Sequence, residues 1–275
     1  MNHPGPRDPG NSPVPWHGRA SRIGPALLLV AHGSRDRRAA RSTRSLVRAV
    51  GAACPGLRVG AAFLDFTAPS VASALAAAPG GRGVTVVPLL LTAAYHGRVD
   101  LPGVLAGAVP AGTGAARPEV SLAEVLGPVG PDDAAVRELF VAGLRRRLAG
   151  LAGNSAAPDA VVLAAAGSRR ADALSTVEDV AVALGASLGV PCLPGYASAG
   201  PRTVGEAVAE LRTAGARRIA TAAYFLAPGL LHDRAVDQAL RAGAVAVAAP
   251  LGDAQEMVTV VLHRAATRAP VPAGA

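Results

Sequence analysis

The sequence predicts an α/β protein built from two similar doubly wound parallel-sheet lobes that arose by internal duplication. Three observations carry that reading. Short apolar runs alternate with longer segments of helical periodicity, the alternation breaks once near the middle and restarts, and a five-residue signature recurs across the break. Runs that are apolar throughout suit strands buried on both faces, as in a parallel sheet covered by helices on each side.

The elements follow in order. Val/Leu-rich stretches at 26–31, 57–64, 84–91 and 120–126 read as strands, and apolar residues at helical spacing over 37–53 and 132–149 read as helices. Residues 151–158, with Gly153, Asn154, Ser155 and Pro158, read as a linker. Beyond it, strands are expected at 160–165, 190–196, 217–225 and 243–249, and helices at 170–188, 202–214, 229–241 and 253–267. Ala-His-Gly-Ser-Arg at 31–35 aligns with Ala-Ala-Gly-Ser-Arg at 165–169, and Pro-Leu-Leu-Leu at 88–91 aligns with Ala-Tyr-Phe-Leu at 223–226. The expected division is a flexible polar, Pro-rich tail over 1–24, a first lobe over 25–150 that carries a metal site, and a second lobe over 156–267. The tail lacks the apolar segment of a secretory signal.

Composition excludes several classes of function. Of 275 residues 51% are hydrophobic and only 3% aromatic, so the core is built from Ala, Val and Leu, and disorder throughout is ruled out. The two cysteines, Cys54 and Cys192, cannot supply a disulfide scaffold or a thiolate cluster, which suits a reducing cytoplasm. No apolar run approaches the roughly 18 residues of a membrane span. All 27 basic residues are arginines, against 19 acidic residues, giving a net charge of +8. They are dispersed apart from Arg145 to Arg147 and form no stripe interleaved with aromatics, so a small polyanion is as good a partner as nucleic acid.

Candidate chemistry gathers where strands run out. His32 ends the first strand and is followed by Gly33 for a tight turn and by Asp36 in the first helical turn. At that position an imidazole faces the crevice in which open α/β sheets bind ligands. His96 follows the third strand, and in a doubly wound sheet of flavodoxin-like order the first and third strands are neighbours about 4.8 Å apart. Two imidazoles projecting from them can share a divalent ion, leaving positions open for water or substrate, which suits a metal in transit better than a structural zinc. Asp65 closes the second strand, where it either moves protons or caps the following helix. Asp100 either orients an imidazole or caps the helix near Pro102, the cap being favoured. In the second lobe Ala166 replaces His32, while His232 falls close to the register of His96 and either overlooks the same cleft or stands on the surface.

These residues resemble a known family, the class II chelatases of the sirohydrochlorin cobaltochelatase and ferrochelatase type. The resemblance rests on Leu-Leu-Leu-Val-Ala-His-Gly-Ser-Arg-Asp at 27–36, Ala-Phe-Leu-Asp at 62–65, Val-Pro-Leu-Leu-Leu followed by His96 and Asp100, Tyr-Ala-Ser-Ala at 196–199 and Tyr-Phe-Leu-Ala-Pro-Gly at 224–229. It implies a chelatase-like fold and insertion of Fe²⁺ or Co²⁺, as substrate and without an organic cofactor, into sirohydrochlorin for siroheme or cobalamin synthesis. It places the metal-handling histidines at His32 and His96. The family's acidic residue after the second strand is usually Glu, whereas this chain has the shorter Asp65.

The chemistry agrees with the residues. A tetrapyrrole takes a divalent metal only after two pyrrole nitrogens lose protons, so the protein must hold the ion loosely, accept protons and orient the ring. Arginine pairs with the substrate's carboxylates in two-pronged fashion, and Arg35, Arg37, Arg98 and Arg169 lie near the expected rim. Two other functions compete: a non-catalytic metal or tetrapyrrole carrier using the same cleft, and phosphoryl transfer through His32, which is disfavoured because Ala31 stands where that chemistry wants arginine. Two fused lobes supply in one chain what a half-length protein would need a dimer to provide, so a monomer is admissible, with no nucleic acid or membrane partner.

Overall fold

Each half of the chain builds one parallel sheet. In the computed structural model, Trp16 and residues 26–78, 83–92, 101–108, 119–130, 132–151, 157–267 and 269–270 are described. The first half gives β1 (Ala26–Ala31), α1 (Arg37–Ala53), β2 (Arg58–Phe63), α2 (Val71–Ala76), β3 (Val84–Pro88), α3 (Leu101–Ala108), β4 (Val120–Leu122) and α4 (Ala134–Ala149). The second gives β5 (Ala160–Ala165), α5 (Ala171–Leu188), β6 (Cys192–Tyr196), α6 (Val204–Thr213), β7 (Ile219–Tyr224), α7 (Leu230–Arg241), β8 (Ala246–Val247) and α8 (Gln255–Ala266), followed by β9 (Ala269–Pro270). The parallel strands run β2-β1-β3-β4 in one sheet and β6-β5-β7-β8 in the other, the same winding twice. β9 returns to pair antiparallel with β4.

Burial follows the two-residue period of the strands. Leu27 and Leu29 of β1, Val87 of β3, and Val161 and Leu163 of β5 face a single inner core, while Leu28 and Val30 face an outer cluster beside α2 and α3. Ala160, Val162 and Ala164 face a second outer cluster beside α6 and α7. The inner core also takes Leu46 of α1, Phe140 of α4, Val180 of α5 and Met257 of α8, so these four helices lie between the two sheets. At its start α1 is capped by Asp36, whose carboxylate accepts the Arg38 N–H at 2.8 Å. At the start of α6, Thr203 and Glu206 form a reciprocal capping box.

The sheets divide the chain at the linker, but two helices cross over. α4 packs on β7, with the Phe140 ring 5.5 Å from that of Tyr224 and tilted by 54°. α8 packs on β3 and α1. The buried Arg264 of α8 donates to the Gly127 carbonyl at 2.7 Å and pairs with Asp133, both in the first half.

Six strands are shorter than the sequence predicts, three of them by three or more residues at one end. The run 84–91 leaves the regular ladder at Pro88, 120–126 pairs only over Val120–Leu122, and 243–249 only over Ala246–Val247. Apolar character therefore outlasts the strand: Leu89 still donates to the Val30 carbonyl at 2.7 Å, and Ala123 to the Val86 carbonyl at 2.9 Å, before the chain turns away. Within the tail predicted over 1–24, Trp16 packs its indole against Gly60, where a Cβ atom would lie 3.1 Å from the ring. The rest of that tail and residues 152–156 of the linker lie outside the described residues. No helix among the described residues is long and apolar enough to cross a membrane.

Candidate active site

The pairing of β1 with β2 continues one step beyond the strands and fixes His32 at the sheet's carboxyl edge. Leu64 donates to the Ala31 carbonyl at 3.0 Å and Asp65 to the His32 carbonyl at 2.9 Å. Gly33 then turns with φ +93°, and a Cβ atom there would lie 1.8 Å from the Asp65 carbonyl oxygen, so this crossing requires glycine. Ser34 and Thr67 complete the stitch: the Thr67 hydroxyl donates to the Ser34 carbonyl at 2.9 Å.

The second lobe repeats this geometry with different chemistry. Ala197 donates to the Ala165 carbonyl at 2.8 Å and Ser198 to the Ala166 carbonyl at 3.0 Å. Gly167 has φ +94°, with the Ala199 carbonyl 2.2 Å from its would-be Cβ. Ala166 thus stands where the first lobe has His32. A local ion pair is also inverted: Asp36 accepts from Arg38 at 2.6 Å in the first lobe, and Arg170 donates to Asp172 at 2.6 Å in the second.

Both turns open on one cleft. A cavity of about 350 Å³ is lined by His32 and the 89–92 segment on one side, and on the other by the 165–168 turn, the inner face of α5, and Tyr196, Tyr224 and Phe225. Its size lies within the range of small-molecule sites. A second cavity of about 150 Å³ lies behind His32 against α1 and shares His32, Leu89 and Leu226 with the first. The exposed His32 therefore belongs to the walls of both cavities.

The larger cavity is apolar except for His32 and a few hydroxyls. Tyr224 donates to the Leu91 carbonyl at 3.4 Å, and burial holds its phenol well above the ordinary range. Tyr196 is 0% exposed and its hydroxyl has no hydrogen-bond partner among the described residues. Burial, with Glu178 adding and Arg202 opposing, pushes the Tyr196 phenol up to about 12, so it is protonated at neutral pH.

Near the start of α1 the lobes are joined by charge. The Arg38 guanidinium bridges Asp36 and Asp233, and Asp233 lies 3.3 Å from Nδ1 of His232. The His232 ring, 13% exposed, meets Phe225 edge-on at 5.5 Å. The Ser42 hydroxyl adds a second link, donating to the Leu226 carbonyl at 2.9 Å.

Several residues singled out in the sequence are placed by these contacts. His32 lines both cavities. Asp65 is its backbone neighbour, but the exposed carboxylate accepts the Phe66 N–H at 2.8 Å and lines neither cavity. Arg35 lies over the Phe66 ring at 5.1 Å. Arg37 opens α1 and Arg169 follows the second-lobe turn, both exposed. His96, Arg98 and Asp100 lie outside the described residues. Among the described residues no three His, Cys, Asp or Glu side chains group to hold a metal ion. Tyr196, Tyr224 and Ser168 were not singled out as site residues, although each sits where a second-lobe strand runs out, the signal that found His32.

The CbiX family model matches residues 26–142 and 160–268, well over half of the chain. No curated protein matches it by sequence. Among solved structures, SirB from Bacillus subtilis with Fe³⁺ superposes with a TM-score of 0.72 at 20% identity, covering 88% of this chain and 94% of that one. The sirohydrochlorin chelatase SirB from Bacillus subtilis subspecies spizizenii in complex with cobalt gives 0.68 at 21% identity, covering 89% and 94%. CbiX, the terminal enzyme for biosynthesis of siroheme in denitrifying bacteria, gives 0.59 at 20% identity, covering 87% and 97%. These likenesses establish the two-lobed chelatase fold.

Proposed function

The chain belongs to the CbiX family, and from that premise we propose that it is a chelatase inserting a divalent metal ion, Fe²⁺ or Co²⁺, into sirohydrochlorin. The observation that carries the reading is His32 at the carboxyl edge of β1, in the wall of an apolar cleft between the two lobes. In the reaction two pyrrole N–H bonds break, metal–nitrogen bonds form, and two protons leave for each ion inserted. No electron is transferred, so the chemistry calls for no organic cofactor.

Imidazole suits such an ion because it binds iron and cobalt without the permanence of a thiolate cluster. We assign His32 and His96 to the metal. We assign to Asp65, exposed beside the His32 backbone, the passing of released protons to solvent. The apolar wall of Leu89, Leu91, Val177 and Phe225 suits the face of a macrocycle. Arg35, Arg37, Arg98 and Arg169 are assigned to its carboxylates. Support for a monomer comes from the two sheets sharing one core, and for a reducing compartment from the free thiols Cys54 and Cys192.

The test follows the absorbance of sirohydrochlorin with Fe²⁺ or Co²⁺ under anaerobic conditions. Insertion faster than the spontaneous rate supports the chelatase. Binding of the tetrapyrrole with insertion at the spontaneous rate would make the protein a carrier.

A further inference from the structure

We propose that Tyr196 is a specificity-determining residue of the second lobe, its hydroxyl donating a hydrogen bond to a carboxylate on the rim of the bound tetrapyrrole. The inference rests on the chelatase reading and adds to it a residue outside the metal-handling lobe. A buried hydroxyl left without a partner gives up its hydrogen bond to water and gains none in return. The internal repeat shows that the fold does not need it. Ala31 pairs with Phe63 in the first sheet and Ala165 with Tyr196 in the second, so Phe63 and Tyr196 are equivalent positions. Phe63 is 2% exposed and fills its place as a plain ring. The hydroxyl therefore belongs to the lobe that has lost the histidine, at a wall residue of the larger cavity.

The chemistry of the position selects the ligand group. With its phenol pushed up to about 12, Tyr196 is protonated at neutral pH and so has a hydrogen to donate. In a mostly apolar wall, a donor recognises an acceptor, and the strong acceptors at the edge of sirohydrochlorin are carboxylates. A site built to hydrogen-bond one group rejects analogues lacking it far more sharply than an apolar pocket can. The second lobe then holds the ring while the first handles the ion.

Tyr196→Phe tests this directly, because it removes only the unpartnered hydroxyl and copies the ring already present at Phe63. Equilibrium binding of sirohydrochlorin, read by tetrapyrrole fluorescence, should weaken about 10- to 100-fold, as loss of a hydrogen bond to a charged group predicts. KM for sirohydrochlorin should rise in step, while kcat and the KM for Co²⁺ stay within twofold. The thermal midpoint should be equal to or above that of wild type, a result that separates lost recognition from lost folding. Unchanged tetrapyrrole affinity in Tyr196→Phe, with the wild type binding and metallating normally, overturns the inference and leaves the chelatase intact. A wild type that binds no tetrapyrrole overturns both.

Discussion

Ala166 occupies in the second lobe the position that His32 occupies in the first, and both contribute to the wall of one cavity. The backbone hydrogen bonds around them are the same, so the two lobes differ here by a side chain and not by a loop. The larger cavity draws most of its wall from the second lobe, which leaves the first to supply the imidazole.

Replacing His32 by alanine is accordingly expected to lower kcat/KM for metal insertion by about 10²-fold or more, within the range for a group that handles protons or an ion in the transition state. Tetrapyrrole affinity should change by less than threefold. Insertion kinetics and fluorescence titration of the same variant separate the two effects, and full activity in His32→Ala would remove this residue from the mechanism.

Gly33→Ala should cost at least about 2 kcal/mol, because the new methyl meets the Asp65 carbonyl in a backbone conformation that alanine rarely adopts. Urea denaturation would show a lower midpoint with an unchanged slope. Gly167→Ala should behave alike through the Ala199 carbonyl.

The Arg38 guanidinium, and to a lesser degree His232, hold the Asp233 carboxyl below the ordinary carboxylate range. Asp36 is lowered by the same guanidinium. A carboxyl depressed in the folded state stabilises it at neutral pH, and the contribution fades as pH falls below about 4 toward the folded value. Thermal midpoints measured from pH 7 to 3 should therefore drop, and Asp233→Asn should show a lower midpoint at pH 7 with a shallower acid decline. Identical pH profiles for the two proteins would mean that this charged link contributes nothing.

Phe140→Ala should destabilise the protein by about 3–5 kcal/mol, the usual cost of emptying a fully buried aromatic site. Phe140 belongs to the first half of the chain but packs on Tyr224. The loss should therefore appear in hydrogen exchange of β7 as well as of α4. A slowly exchanging β7 alongside a loosened α4 would contradict that coupling.

Much of the fold was legible because parallel strands and their covering helices leave separate periods in the sequence. β1 and β5 fall at their expected bounds, and α1 spans the 37–53 stretch that its helical spacing predicts. Strand ends were less legible: Leu89 to Leu91 look like strand because they are buried or half-buried, yet they line the cavity. The crossing of α4 and α8 left no sign, since an apolar helix stripe does not say which sheet it covers. At the site, His32 was visible as a polar residue ending an apolar run. Tyr196 carries no such mark, because a tyrosine in such a run reads as core until its hydroxyl is found without a partner. The cross-lobe pairing of Arg38 with Asp233 joins residues too far apart in the chain for spacing to suggest it.

The exchange of α4 and α8 means that neither half is a self-sufficient module. A nick between 151 and 157 would yield two fragments, each with a greasy sheet face that only the other can cover. They should survive as a tightly associated pair and aggregate when expressed singly. The two walls of the cleft are accordingly tied together behind it by one shared core, and do not belong to two independent jaws.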